Sequence, residues 1–121
     1  MEPAIGNRIT VSGGYDFEPE WLAHRSEVTG CVAKWIPGQN AKRACVVRLD
    51  EPLTATGNVE GRREPRTGSY LVLQLRYAGQ QWESIGTVHI ELCEMEPEDR
   101  PWEQREGGAW VESHATYRVS A

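Results

Sequence analysis

Strict alternation of apolar and polar residues marks four segments of this chain. Residues 27–36 (EVTGCVAKWI) put Val28, Gly30, Val32 and Ile36 on one side, and residues 43–50 (RACVVRLD) put Cys45, Val47 and Leu49 on one side. Residues 69–77 (SYLVLQLRY) align Leu71, Leu73 and Leu75, and residues 86–93 (GTVHIELC) align Val88, Ile90 and Leu92. A period of two with β-branched and aromatic enrichment predicts half-buried strands. Shorter strands are expected at 8–11 and within 109–119, the second broken into two. Between the first two strong segments, Pro37 presets φ for a turn and Gly38 accepts a positive φ, so those segments form a hairpin. Slipping the register by one residue would expose a whole apolar set. Val28, Val32 and Ile36 are therefore expected to share a core with Cys45, Val47 and Leu49. Val32 then lies near Val47, and Cys31 lies on the face opposite Cys45 with no disulfide between them. Trp35 falls with Thr29, Cys31 and Ala33 on the other face, where the C-terminal segment around Trp102 and Trp110 is expected to cover it.

Pro52 ends the second strong strand, because proline donates nothing to a ladder. From 55 to 68 the chain is polar and aperiodic, which predicts a mobile loop at about 56–67. Helix is confined to one short turn at 98–106, stopped by Gly107 and Gly108. Short amphipathic strands separated by Gly- and Pro-rich turns predict an all-β fold, a barrel of about five or six strands in a single domain spanning 1–121. VTGCV, a tight turn and CVVRLDEPL together resemble the central hairpin of SH3-like barrels of the KOW and Tudor kind. That resemblance implies a small SH3-like barrel and covers about 25 residues, a pattern that many β-hairpins share. The chain as a whole, ending in WVESHATY, also resembles small bacterial proteins without an assigned activity, which adds no mechanism.

The stretch GYDFEPEW (14–21) is similar to the ALYDFE opening of peptide-binding SH3 domains, whose Tyr helps line a polyproline groove and whose acidic loop pairs with a ligand Arg. Tyr15, Asp16, Phe17 and Glu18 match that spelling. The paired Trp-Trp and the closing Pro-x-x-Tyr of that family have no counterpart here. Tyr15, Phe17, Trp21 and Leu22 are better read as a plug for one open end of the barrel.

Composition narrows the function classes. The 121 residues are 39% hydrophobic, with five Trp and four Tyr against one Phe. Trp and Tyr combine a large apolar body with a polar handle, so they suit both a shallow core and a binding surface. A net charge of −5 disfavours nucleic acid as a partner, since counterion release needs a basic face and the basic cluster is only Arg62, Arg63 and Arg66. No basic segment precedes an apolar run at the start, and no apolar run approaches the ~18 residues of a membrane span. Three cysteines without Cys-x-x-Cys spacing fit reduced thiols in a cytoplasmic protein.

Candidate chemistry is sparse. His89, Glu91 and Cys93 share one face of their strand, and all three side-chain types ligate zinc. Side chains two apart on one strand run parallel and do not converge on a tetrahedron, so no metal site or cofactor is assigned. His24, His89 and His114 are possible bases, but no nucleophile motif accompanies them. Glu94, Glu96, Glu98 and Asp99 read as a solvated acidic loop. Aromatics at loop tips are where binding concentrates, and Tyr15, Trp82 and Trp102 are the candidate binding residues at one rim. The expected function is a non-enzymatic interaction module binding a protein or peptide through these loops. The alternative is a small-ligand or enzymatic barrel using His89, Glu91 or His114.

Overall fold

The computed structural model describes residues 2–13, 27–38, 42–59, 62–97 and 112–120. They form six strands: β1 (Arg8–Gly13), β2 (Glu27–Pro37), β3 (Arg43–Val59), β4 (Arg62–Leu75), β5 (Ile85–Cys93) and β6 (Glu112–Ser120). Each strand pairs antiparallel with the next in sequence, and β1 pairs with β6 to close the barrel. Closure matters because an open sheet of this length would present unpaired backbone along both edges. The protein is all-β, and no helix occurs among the described residues. The closed antiparallel build and the strand count are consistent with a small SH3-like barrel. The turn expected at 98–106, residues 109–111 of the last expected strand, and the end plug of Tyr15, Phe17, Trp21 and Leu22 lie outside the described residues, while over Glu112–Ser120 the last strand is continuous rather than broken into two.

The lumen is filled by the predicted alternating faces. Ile9, Val11, Val28, Val32, Cys45, Val47, Leu49, Leu53, Leu71, Leu73, Val88, Ile90, Leu92, Ala115 and Tyr117 form one buried cluster. A barrel of six strands is narrow enough for side chains to occupy its interior completely. Val32 pairs directly with Val47, as the register required. None of Cys31, Cys45 and Cys93 is in a disulfide; Cys45 is buried in the core while Cys31 is half-buried. Burial pushes the Cys45 thiol up to about 12.

A single inserted residue in β2 breaks the expected register and inverts the faces beyond it. The β2–β3 ladder shifts between Val32 and Lys34, so Ala33 is an extra residue and Trp35 pairs with Cys45 while Ile36 pairs with Ala44. A bulge of this kind turns every later side chain to the other face. Ile36 therefore leaves the lumen and joins Ala44, Val46 and Val72 in a second, outer cluster. Trp35 makes the opposite move and packs against the lumen cluster. The expectations that Ile36 lines the main core and that Trp35 lies opposite it are both corrected by this insertion.

Residues 56–59 and 62–67, expected in a mobile loop, are strand in this structure. Thr56 pairs with Pro65, Gly57 with Glu64, Asn58 with Arg63 and Val59 with Arg62, continuing β3 and β4 as a two-stranded ribbon. The Thr54 and Thr67 hydroxyls meet at 2.8 Å across it. The ladder is interrupted between Arg48 and Leu53, where four β3 residues face one of β4, and the ribbon resumes with Leu53 opposite Gly68. Cross-strand backbone bonds need no apolar alternation, which is why the polar sequence concealed these strands.

Candidate functional site

Three aromatic rings from three elements pack together on the lumen cluster. Trp35 comes from the far end of β2, Trp82 from the β4–β5 connection and Tyr117 from the middle of β6. The Trp35 and Trp82 rings meet edge to face with centroids 5.1 Å apart, and Trp82 lies 5.4 Å from Tyr117 at a tilt of 57°. Such geometry sets the positive ring edge against the negative ring face. Tyr117 is fully buried, and Gly86 opposite it leaves room for its ring: a β-carbon there would sit 3.0 Å from Tyr117 Cε1. Its hydroxyl accepts the Glu83 N–H and donates to the Glu83 carbonyl, both at 2.9 Å, which pins the connection carrying Trp82. Burial pushes the Tyr117 phenol above its ordinary range.

The connection is organised further by Gln80. Its side-chain oxygen accepts the backbone N–H of Arg76 at 2.7 Å and of Tyr77 at 3.3 Å, and its amide donates to the Thr87 carbonyl at 2.6 Å. Lys42 Nζ donates to the Gln80 carbonyl, linking the start of β3 to this loop. Trp82 Nε1 donates to the Arg43 carbonyl at 3.2 Å. The result is a rigid corner in which β2, β3 and the β4–β5 connection hold one another.

Beside this corner lies an open cleft of about 440 Å³ lined by Trp35, Ile36, Pro37, Gly38, Lys42 and Arg43. Its wall is largely apolar, and Lys42 and Arg43 supply positive charge in a chain whose net charge is −5. The Arg43 guanidinium lies 4.3 Å from the centroid of the Trp35 ring, a cation–π contact that orients both groups. The same guanidinium donates to the Glu2 carboxylate at 3.2 Å, in a pair about half exposed on both sides. A flat cation stacked on an indole and already engaged with a carboxylate is chemically suited to anionic, apolar-bearing chain segments.

A second cleft, of about 340 Å³, is lined by Glu27, Val28, Thr29, Asp50 and Glu51. Its acidity is partly neutralised by Arg8, whose two terminal nitrogens bond the Asp50 oxygens at 2.7 and 2.5 Å, with Thr29 donating to Asp50 at 2.9 Å. Those hydrogen bonds, Arg8 first and Thr29 second, hold the Asp50 carboxyl down at about 2, below its ordinary 3.8. A depressed carboxyl contributes stability above its unfolded-state value, which is lost as pH falls through its folded one. The contribution of the pair is therefore expected to be complete at pH 5 and above, and to disappear between about pH 4 and pH 2. Arg8→Ala should move the Asp50 titration seen by NMR back towards 3.8; a midpoint unchanged by the substitution would remove Arg8 as the cause.

Of the three binding residues expected from sequence, Trp82 is half-buried at the aromatic corner, while Tyr15 and Trp102 lie outside the described residues. Trp82 acts there as the support of Trp35, and the half-buried Trp35 and Lys42 line the cleft together with the exposed Arg43. Sequence reasoning missed Lys42 and Arg43; the signal was their place next to the tight turn, opposite an aromatic strand. His89 and His114 are brought directly opposite one another on β5 and β6, with ring centroids 5.6 Å apart at 89°. Glu91, two residues along β5, is almost fully buried, and Cys93 is half-buried. Neither of the two clefts is lined by His89, Glu91 or His114. Among the described residues, no group of three or more His, Cys, Asp or Glu side chains is placed to hold a metal ion, and no helix is long and apolar enough to cross a membrane. Comparison with protein-family models, with curated proteins and with solved structures finds no match to this chain.

Proposed function

We propose that this chain is a non-enzymatic interaction module that binds an acidic, proline-bearing segment of a protein partner in the Trp35–Arg43 cleft. The observation that carries this reading is the stacked Arg43–Trp35 pair in an apolar-walled cleft, with the Glu2 carboxylate already seated on Arg43. Trp and Arg are the residue types that dominate binding energy at interfaces, because each offers a large rigid surface with directional donors. The resemblance of the β2–β3 hairpin sequence to that of KOW and Tudor barrels agrees with a recognition role. Thiols that form no disulfide fit a reducing, cytoplasmic setting.

The test is tryptophan fluorescence during titration with a synthetic peptide of alternating glutamate and proline, beside its lysine-proline counterpart. The acidic peptide is expected to change the emission saturably and the basic one not. Arg43→Glu should weaken binding by tenfold or more, the loss of a charge-assisted hydrogen bond being worth about 1.5–3 kcal/mol, while its melting temperature stays near that of the parent. Equal response to both peptides, or no response to either, would sink this reading. The competing reading, a small-ligand or enzymatic barrel, draws on the His89–His114 juxtaposition and would show itself as ligand-dependent shifts of the two imidazoles with Trp35 unperturbed.

A further inference from the structure

The barrel is closed along β1 to β6, but the ribbon formed by the outer halves of β3 and β4 is not part of that closure. β2 pairs with β3 only as far as Leu49, and β5 pairs with β4 only from Tyr70 onwards. From Leu53 to Val59, β3 is laddered to β4 on one side, and no described strand pairs with it on the other. Seven residues at about 3.4 Å each make an edge of roughly 24 Å. A two-stranded ribbon is marginal on its own, and an exposed edge is a template for another strand.

The two edges of the ribbon differ in what they carry. Residues 62–66 of β4 read RREPR: four charges and a proline, the residue types with which proteins protect an edge. Residues 53–59 of β3 read LTATGNV, with no charge and no proline, in a chain that is 26% charged. This edge is also suited to its own copy. An antiparallel pairing about a two-fold axis at Thr56 sets Leu53 against Val59, Thr54 against Asn58 and Ala55 against Gly57, so no like charges meet. A two-fold axis requires such self-complementarity, since each residue meets its counterpart in reverse order.

We infer that the Leu53–Val59 edge of β3 is a homodimerisation edge, pairing antiparallel with the same edge of a second copy to give a continuous four-stranded sheet of two ribbons. The pairing is independent of the aromatic cleft, which lies beside the turn between β2 and β3.

Sedimentation equilibrium of the full chain tests it. The parent is expected to show a monomer–dimer equilibrium between 13.6 kDa and twice that mass. Thr56→Lys, which sets two ammonium groups against each other at the axis, should yield monomer at all concentrations, with the melting curve recording that it folds. Thr56→Cys supplies a readout that does not depend on the lysine variant. Central residues of an antiparallel pair have α-carbons about 4.5–5.5 Å apart, within disulfide reach. Mild oxidation should therefore convert Thr56→Cys to covalent dimer at least tenfold faster than Arg63→Cys or the parent. A parent that stays monomeric throughout, a dimer that survives Thr56→Lys, or equal cross-linking of the two cysteine variants would overturn the assignment.

Discussion

Replacing Tyr117 by alanine is expected to destabilise the protein by about 3–5 kcal/mol, the usual cost of truncating a large buried aromatic. Total stabilities of domains of this size are about 5–15 kcal/mol, so the variant should be largely or wholly unfolded near its parent's melting temperature. Three effects converge on this residue. Its ring is fully buried in the lumen cluster and supports Trp82 at 5.4 Å. It fills space that Gly86 leaves beside it, so removal opens a void that neighbouring backbone does not readily close. Its hydroxyl also satisfies both backbone groups of Glu83. Tyr117→Phe separates these effects: it keeps the ring and forfeits only the hydroxyl, at about 1 kcal/mol because Glu83 is exposed enough to turn to water. Urea unfolding of the two variants gives the comparison. A Tyr117→Ala loss no larger than that of Tyr117→Phe would mean that the corner does not depend on the ring.

Gly30→Ala is expected to reverse the usual sign of a glycine substitution in a strand. Alanine in an unstrained strand position is ordinarily favourable by about 0.4–1 kcal/mol, since it restricts the unfolded chain. At Gly30, in the middle of β2, a β-carbon would overlap the Arg48 carbonyl and sit 2.9 Å from Val47 Cγ1. A barrel of six strands coils tightly, and glycine is what lets two backbones approach at such a bend. Since the obstacle is backbone rather than a flexible side chain, relief requires a shift of β3, at about 1–3 kcal/mol or more. Gly79, whose β-carbon would meet nothing within 4 Å, is the matched control and should be neutral or slightly stabilised as alanine. Equal melting temperatures for the two variants would refute the close-approach account.

Much of the barrel wall was legible in the chain. Val28 and Val32 on β2, Cys45, Val47 and Leu49 on β3, Leu71 and Leu73 on β4, and Val88, Ile90 and Leu92 on β5 are all buried as their alternation required. The pairing of β2 with β3 was readable, but the turn chemistry expected for it was not what forms: Pro37 still pairs with Arg43 as the last residue of β2, and Gly38 takes no positive φ. The aromatic corner was legible only in part: Trp82 was marked, whereas Trp35 was placed on the wrong face and Tyr117 in no site.

By itself, the sequence determined that this protein is built of β-strands with one apolar face each, because a period of two is a local property of the backbone. It also determined the Val32–Val47 register, since any slip would expose the whole apolar set. The tertiary structure alone decided the rest. Closure of β1 on β6 joins residues about a hundred positions apart, a separation that chain-entropy reasoning tolerates but local pattern does not reveal. The bulge at Ala33 adds one residue without altering the composition around it, yet it exchanges the environments of Trp35 and Ile36. The pairing of residues 53–59 with residues 62–68 is held by backbone hydrogen bonds, which leave no mark on side-chain polarity. Whether Arg43 is a solvated surface charge or the cationic lid of an indole depends on the same exchange, because only the bulge turns Trp35 to the face where Arg43 stacks on it.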